Sequence, residues 1–164
     1  MDQKTTEPRS PVVCIATKDE FCAYAYKLNQ DIGGSYVVRL LRGTKMLTSG
    51  DLYDEFAAAL QFPCYFGENW NAFDECLTDL EWLPGSGYVL LIMDSLHVLS
   101  NQRSELGVFM RIIRDVAIEW RKTRDMPFHV LFQCIDADVS TLTAAMGDDM
   151  VDVVRLAQVN IAFN

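Results

Sequence analysis

From Met46 to Gln102 the sequence contains neither lysine nor arginine, yet it holds nine acids: Asp51, Asp54, Glu55, Glu68, Asp74, Glu75, Asp79, Glu81 and Asp94. The whole chain has 23 acidic and 14 basic residues, a net charge of -9. Outside this segment the remaining 14 acids and 14 bases cancel, so the entire net charge falls within it. A one-signed field of that kind repels phosphate and argues against direct nucleic-acid binding; it suits a basic partner. Other absences narrow the reading further. No apolar run reaches membrane-spanning length, and Met1–Pro11 is polar with two prolines rather than the apolar core of a signal peptide. The expectation is a soluble, cytoplasmic protein. The two histidines, His97 and His129, do not stand at zinc spacing from any cysteine, so no metal is expected. Gly33-Gly34 and Gly85-Ser86-Gly87 lack the full phosphate-binding pattern. No internal repeat or low-complexity tract occurs. The five cysteines (Cys14, Cys22, Cys64, Cys76, Cys134) are an odd set without close pairing, which points to reduced core thiols.

What is present is a globular composition. Half of the 164 residues are hydrophobic, enough for one domain, 1–164, with a sizeable core. Val12–Ala16 is a short apolar run with strand character, followed by a helical pattern over Lys18–Asn29 and a turn at Asp31–Ser35. Ser35–Arg42 reads as a buried strand carrying Tyr36, Val37, Val38, Leu40 and Leu41. Ser49–Leu60 reads as a helix with an acidic first turn. Tyr88–Met93 is almost wholly apolar, as in a central strand covered on both faces. Leu106–Trp120 is helical, with Phe109, Ile112, Ile113, Val116 and Trp120 on one side. Phe128–Cys134 is another buried strand, with His129 structural within it. Strands separated by helices imply a parallel sheet with helical crossovers, an α/β fold. In the tail, Asp138–Met146 fits a short helix, and Val153–Phe163 fits a strand or a helix.

The stretch Cys64–Glu81 carries the acidic segment's most organised pattern. Pro63 and Gly67 mark a loop, and Asn69 is a good helix cap. Beyond it Ala72, Phe73, Cys76, Leu77 and Leu80 form an apolar stripe, while Asn71, Asp74, Glu75 and Thr78 fall on the opposite face. Two adjacent carboxylates, an amide and a hydroxyl thus face away from the core. Taken alone, this is also what the solvated side of an ordinary amphipathic helix looks like. Acid–base catalysis by Asp74 and Glu75 would require burial to raise one pKa, and an exposed face offers none. A Cys–His hydrolase using Cys64 or Cys76 with His97 has no local support.

The ungapped run Leu60-Gln-Phe-Pro-Cys-Tyr-Phe-Gly-Glu-Asn-Trp-Asn-Ala-Phe-Asp-Glu-Cys-Leu77 resembles the signature of the barstar family of ribonuclease inhibitors. The Tyr-aromatic-Gly-Glu-Asn loop, the Ala-aromatic pair and the Cys-Leu end match in order and spacing. The resemblance covers about 36–134. It leaves a disordered tail (1–11), an added strand and helix (12–34) and an added C-terminal segment (135–164). It implies a small parallel sheet of about three strands packed by helices, with no catalysis and no cofactor. It further implies a bacterial immunity protein or antitoxin that occludes the active site of a basic ribonuclease or nuclease-like toxin. By position, the implied partner contacts are Tyr65, Gly67, Asn69, Asn71, Asp74 and Glu75, with Asp115 on the next long helix. The family carries aspartates where this chain has Asn71 and Glu75, and a tryptophan where it has Asp74, so acidity is kept while the shape of the contact changes. Each position also has a purely structural reading. Asn69 caps the helix, Phe66 packs the loop, Trp70 belongs to core or interface, and Asp115 pairs with Arg111 or is solvated. The alternative function is a regulatory or scaffold protein whose acidic face binds a non-nuclease partner.

Overall fold

The computed structural model describes residues 10–159 and 161. Five strands, β1 (Val12–Ile15), β2 (Val37–Arg42), β3 (Tyr88–Met93), β4 (Phe128–Cys134) and β5 (Asp152–Arg155), form one sheet in the order β2-β3-β4-β1-β5. Every pairing is parallel, with Val38 opposite Val89, Leu90 opposite Val130, and Val13 opposite both Phe132 and Val153. The helices α1 (Lys18–Ile32), α2 (Ser49–Leu60), α3 (Trp70–Asp79), α4 (Leu106–Arg124) and α5 (Val139–Met146) make the crossovers that parallel strands require.

The alternation of a strand divides the core in two. Tyr88, Leu90 and Ile92 of β3 pack with α2, α3, α4 and α5 on one face, while Val89, Leu91 and Met93 pack under α1 on the other. This is why β3 carries no polar residue: both of its faces are covered. On the α1 side the seal is made by Phe21, Ala25 and Leu28.

The three-stranded unit β2-β3-β4 is the sheet the resemblance implies, and the two additions extend it to five. The sequence left the place of the N-terminal strand open. β1 lies against β4 and is itself flanked by β5, so both additions enter the sheet next to one another. A buried amide fastens this junction. Gln133 accepts from the Asp94 backbone N–H at 2.8 Å and donates to the Ala16 carbonyl at 2.9 Å, and Lys18 reaches across to Asp94 at 2.7 Å.

Several sequence expectations shift. α1 runs on to Ile32, so Asp31 and Ile32 belong to the helix rather than the turn. Leu40 is 41% exposed: β2 is the sheet edge, so one side of it has no neighbouring strand. All five cysteines are unpaired, but only Cys14, Cys76 and Cys134 are core residues; Cys22 is half-buried and Cys64 is exposed in the loop before α3. In the tail, the expected short helix is α5. Asp152–Arg155 is a strand followed by a single 3-10 turn at Leu156–Gln158, while Asn160, Ala162 and Phe163 lie outside the described residues. Most of the expected N-terminal tail, residues 1–9, also lies outside them. Among the described residues no helix is long and apolar enough to cross a membrane.

Candidate functional site

The loop before α3 is built on an aromatic anchor. Phe66 turns inward, its backbone N–H bonded to the Pro63 carbonyl at 2.9 Å and its ring edge-on to Tyr53 and Phe62 at 5.8 and 5.0 Å. Tyr65, its neighbour, is left 76% exposed. Glu68 takes a left-handed backbone conformation (φ 49°) that turns the chain into the helix. Asn69 then closes the start on both sides. Its Oδ1 accepts from the Ala72 N–H at 2.9 Å, and its Nδ2 donates to the Gly67 carbonyl at 3.1 Å. A Cβ on Gly67 would stand 3.1 Å from that same Nδ2, so a side chain there would press on the cap.

α3 is held near its start by Glu105, the residue that precedes α4, and at its end by α4 itself. Near its start the Trp70 indole N–H donates to Glu105 Oε2 at 2.6 Å, and the ring packs edge-on to Tyr53 and Phe73 at 5.1 and 5.7 Å. At its end the Trp120 indole N–H donates to the Leu77 carbonyl at 2.9 Å and Arg124 Nη1 to the Asp79 carbonyl at 3.0 Å. These bonds satisfy carbonyls that a helix C-terminus leaves without partners. The Arg124 guanidinium also lies 4.0 Å over the Trp120 ring. Between the two ends Phe73, Cys76 and Leu77 are buried as the stripe predicts.

The outer face is therefore presented by a fixed helix. Asn71, Asp74 and Glu75 are exposed on it. Asp115 joins them from α4, close enough for its charge to act on Asp74. The Asp74 carboxyl is shifted above the usual carboxylate range, by partial burial first and then by Asp115; the Thr78 hydroxyl opposes the shift and Glu75 adds to it. From the sequence alone, nothing is expected to bury Asp74 or Glu75 enough to raise a pKa. For Asp74 this is corrected: partial burial raises it first, and the Asp115 carboxylate on the neighbouring α4 adds a like charge. Asp115 itself accepts from Arg114 Nε at 3.2 Å rather than from Arg111.

The fold thus brings Asn71, Asp74, Glu75 and Asp115 together, with exposed Tyr65, Gly67 and Asn69 in the approach to α3. Trp70 and Phe66 are packing residues. Two supporting residues were not foreseen, Glu105 under Trp70 and Arg124 on the end of α3. Their partners lie 35 and 45 residues away, and no local pattern announces them. Among the described residues no group of His, Cys, Asp and Glu is arranged to hold a metal ion.

Comparison with known proteins gives one family. Residues 36–133 match the family model described as barstar (barnase inhibitor). No curated protein matches the chain. Among solved structures, a chain from the structure of Drosophila ORC bound to GC-rich DNA and Cdc6 aligns with a TM-score of 0.49 and 13% identity, over 88% of this chain and 47% of that one. This chain therefore spans about half the length of that protein, and a likeness so distant has no bearing on function. The family match covers well over half of the chain, including β2, β3, the α3 face and nearly all of β4: the chain belongs to the barstar family.

Proposed function

We propose that this protein binds a basic ribonuclease and occludes its active site with the exposed face of α3, acting as the immunity partner of a toxin and catalysing nothing itself. The observation that carries the reading is the face itself. Asp74, Glu75 and Asn71 project from a helix locked at both ends, within a segment that has nine acids and no base, and the family match spans it. A ribonuclease active site must attract a polyanion and is lined with cations. A rigid row of carboxylates mimics that polyanion. Opposite fields also speed encounter, an effect for which barnase and barstar are themselves the reference pair.

The raised pKa of Asp74 supports the same reading. Asp74, Glu75 and Asp115 repel one another in the free protein, an arrangement that a cationic pocket would relieve. Tyr65, Gly67 and Asn69 extend the contact into the loop. The test is RNA cleavage by a basic ribonuclease captured from the source cells, with this protein titrated in. Stoichiometric loss of cleavage is expected. A captured partner that has no nuclease activity would instead make the acidic face a scaffold surface.

A further inference from the structure

α4 holds five of the chain's 14 basic residues, Arg111, Arg114, Arg121, Lys122 and Arg124, in a protein whose net charge is -9. Arg124 serves the end of α3. Three of the others border an open groove of about 730 Å³ between α4 and the start of β4. Its lining includes Arg114, Ile118, Arg121 and Lys122 from the helix, Phe128 from the strand, and Asp149 as the one acid. Ile118 is 55% exposed, one of the few large apolar side chains in the described residues that face solvent.

The spacing is informative. Arg114, Ile118 and Lys122 are four residues apart and so lie along one side of the helix. They form a cation–apolar–cation stripe about 12 Å long at 1.5 Å per residue. An extended peptide repeats its side chains on one face about every 6.7 Å. A segment of pattern acid–x–apolar–x–acid therefore spans about 13 Å and places its apolar side chain midway. A single small anion could meet only one end of this stripe.

The groove also depends on what lies outside the family match. Ser10, Asp149 and Met150 complete its wall. The Ser10 hydroxyl accepts from the Val130 N–H at 3.0 Å, and Arg114 is fixed by Met150 Sδ at 2.9 Å from its Nη1 and by Asp115 at 3.2 Å from its Nε, so a peptide carboxylate would share or displace the Asp115 pairing. The two additions thus build a surface that residues 36–133 alone would not have.

We infer that this groove is a second interaction site, which binds an acidic peptide segment of a protein partner in extended form, with an apolar residue seated against Ile118 and its flanking carboxylates on Arg114 and Lys122. The inference does not rest on the ribonuclease reading.

The test is fluorescence anisotropy of a labelled peptide containing Glu-Thr-Leu-Thr-Glu with the full chain. Controls are the same peptide with lysine for both glutamates, and one with serine for the leucine. Saturable binding is expected for the first peptide only, weakening as salt rises. Ile118→Ser and Lys122→Glu should each weaken it at least tenfold while circular dichroism stays unchanged. Lys27→Glu on α1, which changes the net charge equally, should leave it as it was. No saturation at millimolar peptide, equal binding of the control peptides, or indifference to both groove variants would overturn the inference. Preference for decanoate or single-stranded RNA over the acidic peptide, or dimerisation abolished by Lys122→Glu, would overturn it equally by giving the groove another occupant.

Discussion

Replacing Phe73 with alanine tests the packing on which the acidic face stands. Phe73 is fully buried, and its ring lies between 5.0 and 6.2 Å from those of Phe56, Trp70, Tyr53, Phe62 and Phe109. These neighbours come from α2, the following loop, α3 and α4, so the cavity left by the ring cannot close without moving three helices. Truncations of this kind cost about 3–5 kcal/mol, a large part of the roughly 5–15 kcal/mol that holds a typical domain together. With a urea slope of about 2 kcal/mol/M, the unfolding midpoint should fall by roughly 1.5–2.5 M. Phe73→Leu keeps most of the volume and should cost less than about 1.5 kcal/mol. The assay is equilibrium urea unfolding followed by tryptophan fluorescence and circular dichroism together. A Phe73→Ala cost below about 1 kcal/mol, or an equal cost for leucine and alanine, would show that the aromatic cluster does not hold α3.

Two further outcomes follow from the site and the thiols. Asp74→Asn should leave folding unharmed or stabilise it by up to about 0.5 kcal/mol, since it relieves repulsion from Asp115 and Glu75. The same substitution should weaken partner binding. Because the folded-state pKa of Asp74 is raised, its ionisation disfavours folding at high pH and this penalty is lost as pH falls through that pKa; binding to a basic partner should weaken over the same interval, and a pH series in which Asp74→Asn behaves like the parent would refute the assignment. Alkylation of the native protein should label Cys64 first and leave Cys14 and Cys134 untouched, the latter two being buried with thiol pKa values pushed up to about 12 and about 11. After unfolding without reductant all five should label, and fewer labels would reveal a disulfide or a bound metal.

The parts of the molecule legible in the sequence are those with a strong local pattern. β3 is an almost wholly apolar run and β4 a largely apolar one, α2, α3 and α4 have clear stripes, and α2 and α3 have side-chain caps, so the inward side of α3 and the role of Asn69 could be read directly. What escaped depends on distance. β5 has four residues, all at least partly exposed, at the sheet edge, and its character comes from pairing with β1 some 140 positions earlier. The exposure of Leu40 follows from β2 being the opposite edge, which no residue of β2 announces. The raised pKa of Asp74 comes first from partial burial and then from Asp115 on α4, and the fixing of α3 comes from Glu105, Trp120 and Arg124, contacts that exist only once the chain has folded. The family resemblance supplied what periodicity could not, a reason to read an exposed acidic helix face as a contact surface.

The central claim is that the α3 face is the plug; Glu75, which stands where the family carries an aspartate, is proposed as its seated carboxylate, and the most direct measurement is the binding kinetics of Glu75→Ala against the captured ribonuclease at two salt concentrations. Removing a carboxylate from a cationic pocket leaves the partner's cations unpaired, so the loss should be at least about 2 kcal/mol and appear mainly as faster dissociation. Asp54→Ala, an exposed acid on α2, should change little beyond a modest, salt-sensitive drop in association rate. Both variants should unfold within about 0.5 kcal/mol of the parent. If Glu75→Ala binds and protects RNA as well as the parent, the α3 face is not the inhibitory surface.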